Sequence, residues 1–216
     1  MGANKTKDKE EKKPSMGQVI KEYGQAIALA VVLALFVRSF ILQAFQIPSG
    51  SMIPTFLEGD RVLVTKFAYG IRSPFSNNVW LATGLPERWD VVVFIYPVEP
   101  DKDFVKRVVG LPGETVSMIN GQLFINGAPM DDPHARYDPN APVFGRSFPA
   151  VKVEEGHYFM MGDNRDHSSD SRFWGTVDQS RLRGKAWRLY WSWDSNDPDL
   201  GITERLRASR IGRKIE

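Results

Sequence analysis

The sequence predicts a mainly β domain carried behind one N-terminal membrane-spanning helix. Three observations point that way. One long apolar run, Gly24 to Phe45, stands near the start of the chain. Past residue 45 the pattern changes to short β-branched runs punctuated by Gly, Pro and Asn. No later stretch sustains helical periodicity, which leaves strands to build the core. At 216 residues and 42% hydrophobic content, the chain can form one soluble domain besides the anchor, with room for an inserted lobe.

Taken in order, residues 1–23 are polar and rich in lysine (Lys5, Lys7, Lys9, Lys12, Lys13, Lys21), the composition of a disordered tail. Residues 24–45 form the anchor. As a helix they would rise about 33 Å, against a hydrocarbon thickness of about 30 Å. Arg38 lies late in the run, where its stem can reach the interface. The exit, Ser39-Phe-Ile-Leu-Gln-Ala44-Phe, lacks the small-x-small pair of a cleavable leader, so the anchor reads as uncleaved. Lysines precede it, and no Lys or Arg occurs between Arg38 and Arg61. The positive-inside rule then places the N-terminus in the cytoplasm and residues 46–216 outside.

Within 46–216, Arg61–Thr65 and Asp90–Tyr96 read as strands. Thr115 to Asn126 reads as a hairpin, because Asn120-Gly121 favours a type I′ turn. Residues 128–150, rich in Pro, Asp and Ala, read as a loop-like insertion or small lobe. His157–Met161 and Lys185–Trp193 are further strand candidates. A net charge of +2 without a basic stripe gives no argument for nucleic acid, and a chain without cysteine has no disulfide, thiol catalysis or Cys-ligated zinc. The spacing of the histidines resembles no metal-ligand pattern, so neither metal nor other cofactor is expected.

Three segments carry groups suited to chemistry. Ser51 sits in Pro48-Ser-Gly-Ser-Met-Ile-Pro-Thr55, a crowded turn just past the anchor, where a nucleophile would meet substrates that also cross the bilayer. A serine hydroxyl needs a base. His134 falls in the insertion and His157 in a strand, while His167 adjoins Ser168 in a polar loop. Lysine serves only if burial lowers its pKa from about 10.4. Lys106, in Phe104-Val-Lys-Arg-Val-Val109, is placed for that, although composition alone favours an outward-facing strand lysine, the usual fate of that residue. Lys66 reads as a strand end. The third segment, Gly162 to Arg172, has no apolar side chain; it lacks the full calcium-loop pattern, and its Asp-Arg pairs suit bidentate bracing.

Four boxes in order behind the anchor resemble bacterial type I signal peptidases, also called leader peptidases. They are Ser49-Gly-Ser-Met-Ile-Pro-Thr55, Gly59-Asp60 through Gly70, Lys106-Arg-Val-Val-Gly-Leu-Pro-Gly113, and Gly162-Asp-Asn-Arg165 through Ser171-Arg172. The resemblance implies a coiled antiparallel β structure with an inserted lobe and a Ser-Lys dyad, a variant of the serine-triad logic. Ser51 would be the nucleophile and Lys106 the base. Ser168 would orient the amine, and the Ser51 N–H with the Ser49 hydroxyl would hold the oxyanion. Asp163 with Arg107, and Asp170 with Arg172, would brace the site. Phe45, Ile47, Met52, Val62, Val93 and Val105 would wall shallow pockets for the Ala-x-Ala ends of secretory signal peptides, bound as an added strand. The partners implied are preprotein signal peptides and the lipid bilayer, at the bacterial cytoplasmic membrane.

Departures from the family pattern are His167 for Asn, Trp89 for Gly and Phe56 for Leu. Trp89 implies that its turn avoids a glycine-only conformation, and Phe56 a reshaped pocket. Trp80, Trp187, Trp191 and Trp193, with the basic end Arg205, Arg207, Arg210, Arg213 and Lys214, are candidates for resting on lipid. Rival readings are a self-cleaving repressor, opposed by the anchor, a conjugative-transfer peptidase of the same fold, and a catalytically silent tethered binding module.

Overall fold

The computed structural model describes residues 15–72, 79–81, 83–143, 145–194, 199 and 201–216. The chain divides into two units, residues 1–38 and 39–216. In the first, helix α1 spans Met16–Phe36 and opens on a capping box: Gln18 N–H donates to Ser15 Oγ, and Ser15 N–H to Gln18 Oε1. A π-helical turn, Val37–Ile41, continues it. Met16–Ile41 is long and apolar enough to cross a membrane, and no residue of α1 is buried.

These limits correct the expected boundaries. The polar stretch from Met16 to Tyr23 is helical, because the Ser15 cap starts the helix before the apolar run. The apolar run in turn outlasts the helix, since Leu42–Gln46 is strand β1. The mostly apolar composition across the junction hides that change of period, and an antiparallel partner strand decides it. Of the expected tail, residues 1–14 lie outside the described residues.

The second unit is mainly β, as expected. After β1 come β2 (Asp60–Thr65), β3 (Ile71–Arg72), β4 (Val79–Leu81), β5 (Val91–Ile95), β6 (Asp103–Gly110), β7 (Thr115–Ile119), β8 (Gln122–Ile125), β9 (Ala128–Met130), β10 (Phe148–Lys152), β11 (His157–Met161), β12 (Val177–Asp178) and β13 (Leu182–Ser192). Short helices α2 (Ser171–Trp174) and α3 (Ile202–Arg205) complete it. The main sheet runs β1-β2-β13-β5-β6-β11-β12, with every pairing antiparallel.

Strand β13 curls this sheet. Its start pairs with β5 and its remainder with β2, and register shifts interrupt it at three places. Such bulges bend a strand and increase its twist. At the handover between partners sits Gly184, where a Cβ would lie 2.3 Å from the Thr65 carbonyl oxygen. Only glycine fits that crossing.

A second sheet, β10-β7-β8-β9, forms the inserted lobe. The lobe is larger than the expected 128–150, because the hairpin from Thr115 belongs to it. Asn120 and Gly121 take φ of 50° and 85°, the left-handed pair that a type I′ turn needs. Val116, Met118, Leu123 and Ile125 pack on Val109, Phe159 and Met161 of the main sheet, so the lobe shares a core with it. Trp89 takes φ 75° despite its side chain, contrary to expectation. Hydrogen bonds fix its peptide groups: its N–H donates to Val108 O, and Arg107 Nη1 donates to its carbonyl.

Asp60, fully buried at the start of β2, ties the sheet to the segment after Ser51. Its carboxylate accepts from Ser192 Oγ at 2.5 Å, Arg210 Nη2 at 2.6 Å and Leu57 N–H at 2.9 Å. Arg210 Nη2 also donates to Thr55 O. Arg210 is thus a structural cation rather than a lipid contact, and Arg207 is held by Asp194 and Glu58 O. Trp187 and Trp191 are exposed while Trp193 is half-buried, and the side chain of Trp80 lies outside the described residues. Asp60→Ala leaves Arg210 without its buried partner and should cost about 3 kcal/mol of unfolding free energy, read by urea denaturation in detergent.

Candidate active site

Ser51 lies in a 3₁₀ turn, Gly50–Met52, joined to the end of β1 by Ile47, Pro48 and Ser49. The segment is held at both ends: Ile47 N–H donates to Asp60 O, and Phe56 N–H to Met52 O. Lys106 is in the middle of β6, paired with Val92 of β5. From Lys106 to Gly110 every residue of β6 is buried, so the strand offers that lysine no solvent face. Its Nζ lies 2.5 Å from Ser51 Oγ. Residues 55 apart in sequence thus meet in a pocket where both are nearly excluded from water.

Burial pushes the Lys106 amine from 10.5 down to about 8, since an ammonium loses hydration there. Asp170 and Asp163 pull in the opposite direction, and Arg172 reinforces the lowering. Both carboxylates are engaged elsewhere. Arg107 Nε and Nη2 donate to Asp163, each at 2.8 Å, with both side chains wholly buried. Arg172 Nε and Nη2 donate to Asp170 in the same two-pronged way. Thr55 Oγ1 donates to Asp163, and Gly162 N–H to Asp170, so these pairs also fasten the loops around Ser51. Neutralised by guanidinium, the aspartates leave desolvation dominant.

Ser49 Oγ stands 3.5 Å from Ser51 Oγ. Ser168 is buried, but its hydroxyl has no partner among the described residues. The expected hydrogen bond from Ser168 to the lysine is therefore not formed here; Lys106 Nζ is turned onto Ser51 instead. Gly162, to which sequence reasoning gave no role, is a point of close approach. A Cβ there would lie 2.3 Å from Ser168 Oγ and 2.5 Å from Ser51 O. Its signal in the sequence is a glycine at the junction of an apolar strand and a wholly polar loop.

A cleft of about 200 Å³ opens beside the pair, walled by Phe45, Ile47, Val93, Phe104 and Val105, with Ser49, Ser51 and Lys106 on its polar side. Four of the expected wall residues are there. Met52 and Val62 are not: both are fully buried in the core behind it, as is Phe56, so that departure bears on packing. Phe45 opposes Val62 across the β1–β2 pair, so the two share a face; Phe45 reaches the cleft from the edge strand, while Val62, one strand further in, is covered. Phe104 was missed because it was read only as a flank of Lys106.

Two main-chain edges border the cleft. Among the described residues β1 pairs only with β2, and β11 covers β6 only from Arg107 to Gly110, with no strand paired to Asp103–Lys106 on that side. The histidines lie apart from the serine: His134 packs on Trp89, His157 Nε2 faces Asp178, and the exposed His167 reaches Asp138 at 3.2 Å. His167 therefore bonds outward to Asp138, and among the described residues no group hydrogen-bonds the Ser168 hydroxyl. Among the described residues no cluster of His, Cys, Asp and Glu suits a metal ion.

A chain built this way has close relatives. Residues 20–191 match the family described as signal peptidase, peptidase S26. A signal peptidase I of Pseudomonas fluorescens is 38% identical over 90% of this chain and 79% of its own length. One from Pseudomonas aeruginosa is 37% identical over the same shares. A solved signal peptidase I from Enterococcus faecalis is 31% identical, covering 48% of this chain and 98% of that one, with a TM-score of 0.42. With a match across most of its length and a buried lysine held against a serine, the chain belongs to the signal peptidase family, peptidase S26, a family of serine endopeptidases.

Proposed function

We propose that this protein is a membrane-anchored endopeptidase that removes N-terminal signal peptides from exported preproteins, cutting after small residues of the Ala-x-Ala type. The observation that carries the reading is the 2.5 Å approach of a desolvated lysine amine to a buried serine oxygen beside a small apolar cleft. α1 would hold the enzyme in the bacterial cytoplasmic membrane, with its N-terminus cytoplasmic and the β unit outside. The substrate would lie extended between the free edges of β1 and β6, its small side chains against Phe45, Ile47, Val93, Phe104 and Val105.

In this mechanism neutral Lys106 Nζ accepts the Ser51 hydroxyl proton as Oγ attacks the scissile carbonyl carbon. The carbonyl oxygen becomes an oxyanion facing the Ser51 N–H and the Ser49 hydroxyl. Collapse breaks the C–N bond, and the lysine ammonium gives its proton to the leaving amine of the mature chain. The signal peptide is left as an ester on Ser51. A water then attacks the ester with Nζ again as base, releasing the peptide carboxylate and restoring the serine. The buried Ser168 hydroxyl, unengaged among the described residues and packed with the Ser51 main-chain carbonyl against Gly162, supports Ser168 as the group that holds the amine once Ser51 is acylated.

A specialised conjugative-transfer peptidase would differ in substrate. A tethered binding module would bind preprotein without a new N-terminus appearing. Incubation of the detergent-solubilised protein with a preprotein, followed by N-terminal sequencing of the product, separates the signal-peptidase reading from the other two; co-purification of uncleaved preprotein then separates those from each other.

Ser51→Ala and Lys106→Met should each abolish product formation in that assay. kcat/KM should rise about tenfold per pH unit below about 8 and level off above it, because only the neutral amine accepts a proton. Lys106→Met should also stabilise the fold at pH 7. A lowered folded-state pKa is a penalty felt in full below about 8 and relieved as pH climbs toward 10.5, where the unfolded amine also loses its proton. The shift corresponds to about 3 kcal/mol, an upper bound on the gain seen in thermal melts. Gly162→Ala, which drives a methyl group into Ser168 and the Ser51 carbonyl, should lower kcat by about 100-fold or more.

A further inference from the structure

Gly50 precedes the proposed nucleophile, and glycine lets the peptide that follows it rotate at low cost. That peptide carries both the Gly50 carbonyl and the Ser51 N–H. In a trans peptide the two point in opposite directions, so whatever fixes the carbonyl also aims the N–H. Two donors make that contact: the Ile53 N–H within the turn and Asn164 Nδ2 from the polar loop, each to Gly50 O at 3.1 Å. The Asn164 backbone N–H donates to the next carbonyl, Ser51 O, also at 3.1 Å. Among the described residues nothing accepts the Ser51 N–H. It is aimed away from Asn164 and left for a ligand.

Asn164 is itself held from the inserted lobe. Arg136 N–H donates to Asp163 O and Arg165 N–H to Arg136 O, a parallel bridge with Asn164 between the two bonds. Asp132 pairs with Arg165 at 2.5 Å, and Asp166 takes two bonds from Arg146. The lobe segment 132–146 thus fixes the loop on which Asn164 stands.

From this geometry we infer that Asn164 is a positioning residue for the oxyanion site: its side-chain amide pins the Gly50–Ser51 peptide so that the Ser51 N–H faces the developing negative charge. Without that bond the Ile53 N–H alone holds the Gly50 carbonyl, the peptide after the glycine rotates more readily, and the donor is lost for part of the time. The side chain touches neither Lys106 nor the cleft walls, so the effect belongs to the transition state and not to substrate binding. The inference rests on the signal-peptidase reading of Ser51.

The test uses the full chain in detergent with an Ala-x-Ala preprotein peptide, comparing wild type, Asn164→Leu and Asn164→Ala. Leu keeps the approximate shape and removes the donor without adding charge; Ala removes both, and all variants retain the backbone bond to Ser51 O. The expected result is a fall in kcat of about 10- to 100-fold, with KM within about twofold and the apparent pKa near 8 unmoved. Affinity for a peptide aldehyde ending in the same residues, which forms a tetrahedral adduct on the serine, should fall in parallel, while affinity for the uncleaved peptide holds. Unchanged kcat in a folded variant overturns the inference, as does a loss of kcat accompanied by a shifted pKa or undiminished aldehyde affinity. If wild type cleaves nothing, the signal-peptidase reading falls and takes this inference with it.

Discussion

The desolvation of one amine governs the catalytic unit. A lysine amine at 10.5 is a cation and no base at neutral pH; brought to about 8, it can take a proton from a hydroxyl. The fold achieves this by burying both faces of β6 at once, with Val108 in one apolar cluster and Val109 in another. The same burial is unfavourable to a charged residue, so the proposed function is bought with stability.

Charges next to such a site must not undo it. Asp163 and Asp170 would favour the ammonium if left bare, yet each is gripped by a guanidinium through two hydrogen bonds. These pairs have mechanical consequences too. Asp163 holds Thr55, Asp170 holds the amide of Gly162, and the two loops meet around Ser51. Asp60 secures the far end of the serine loop through Leu57 and Arg210. The inserted lobe adds a further grip, through Asp132, Arg136 and Arg146 on the loop that faces Ser51. Its sheet packs on β6 and β11, so lobe and polar loop are parts of one support.

Much of this was legible in the residues, for physical reasons. Asn120-Gly121 announces its turn because few residue pairs tolerate two positive φ angles. Val91 to Ile95 reads as a strand because β-branched residues bounded by turn formers have few alternatives. What failed to show is equally specific. Leu42–Gln46 continues an apolar run, and only its pairing with Arg61–Thr65 makes it a strand. Trp89 holds a left-handed conformation that its type disfavours, because Val108 and Arg107 bond both its peptide groups. Met52 and Val62 look like pocket walls in sequence, but whether an apolar side chain lines a cleft or fills the core behind it depends on which layer it occupies.

By itself the sequence determined which chemistry was available: a serine in a constrained turn, a lysine among valines, paired aspartates and arginines, no thiol, and a helix able to span a bilayer. Those are properties of residue type and local spacing, which the chain carries before it folds. Only the tertiary structure decided that Lys106 faces Ser51 rather than solvent, that Ser168 is left unengaged, and that Asn164 reaches the Gly50 carbonyl. Each of those contacts joins segments far apart in the chain, and their distances are set by the curl of a sheet whose bulges and register no local pattern specifies.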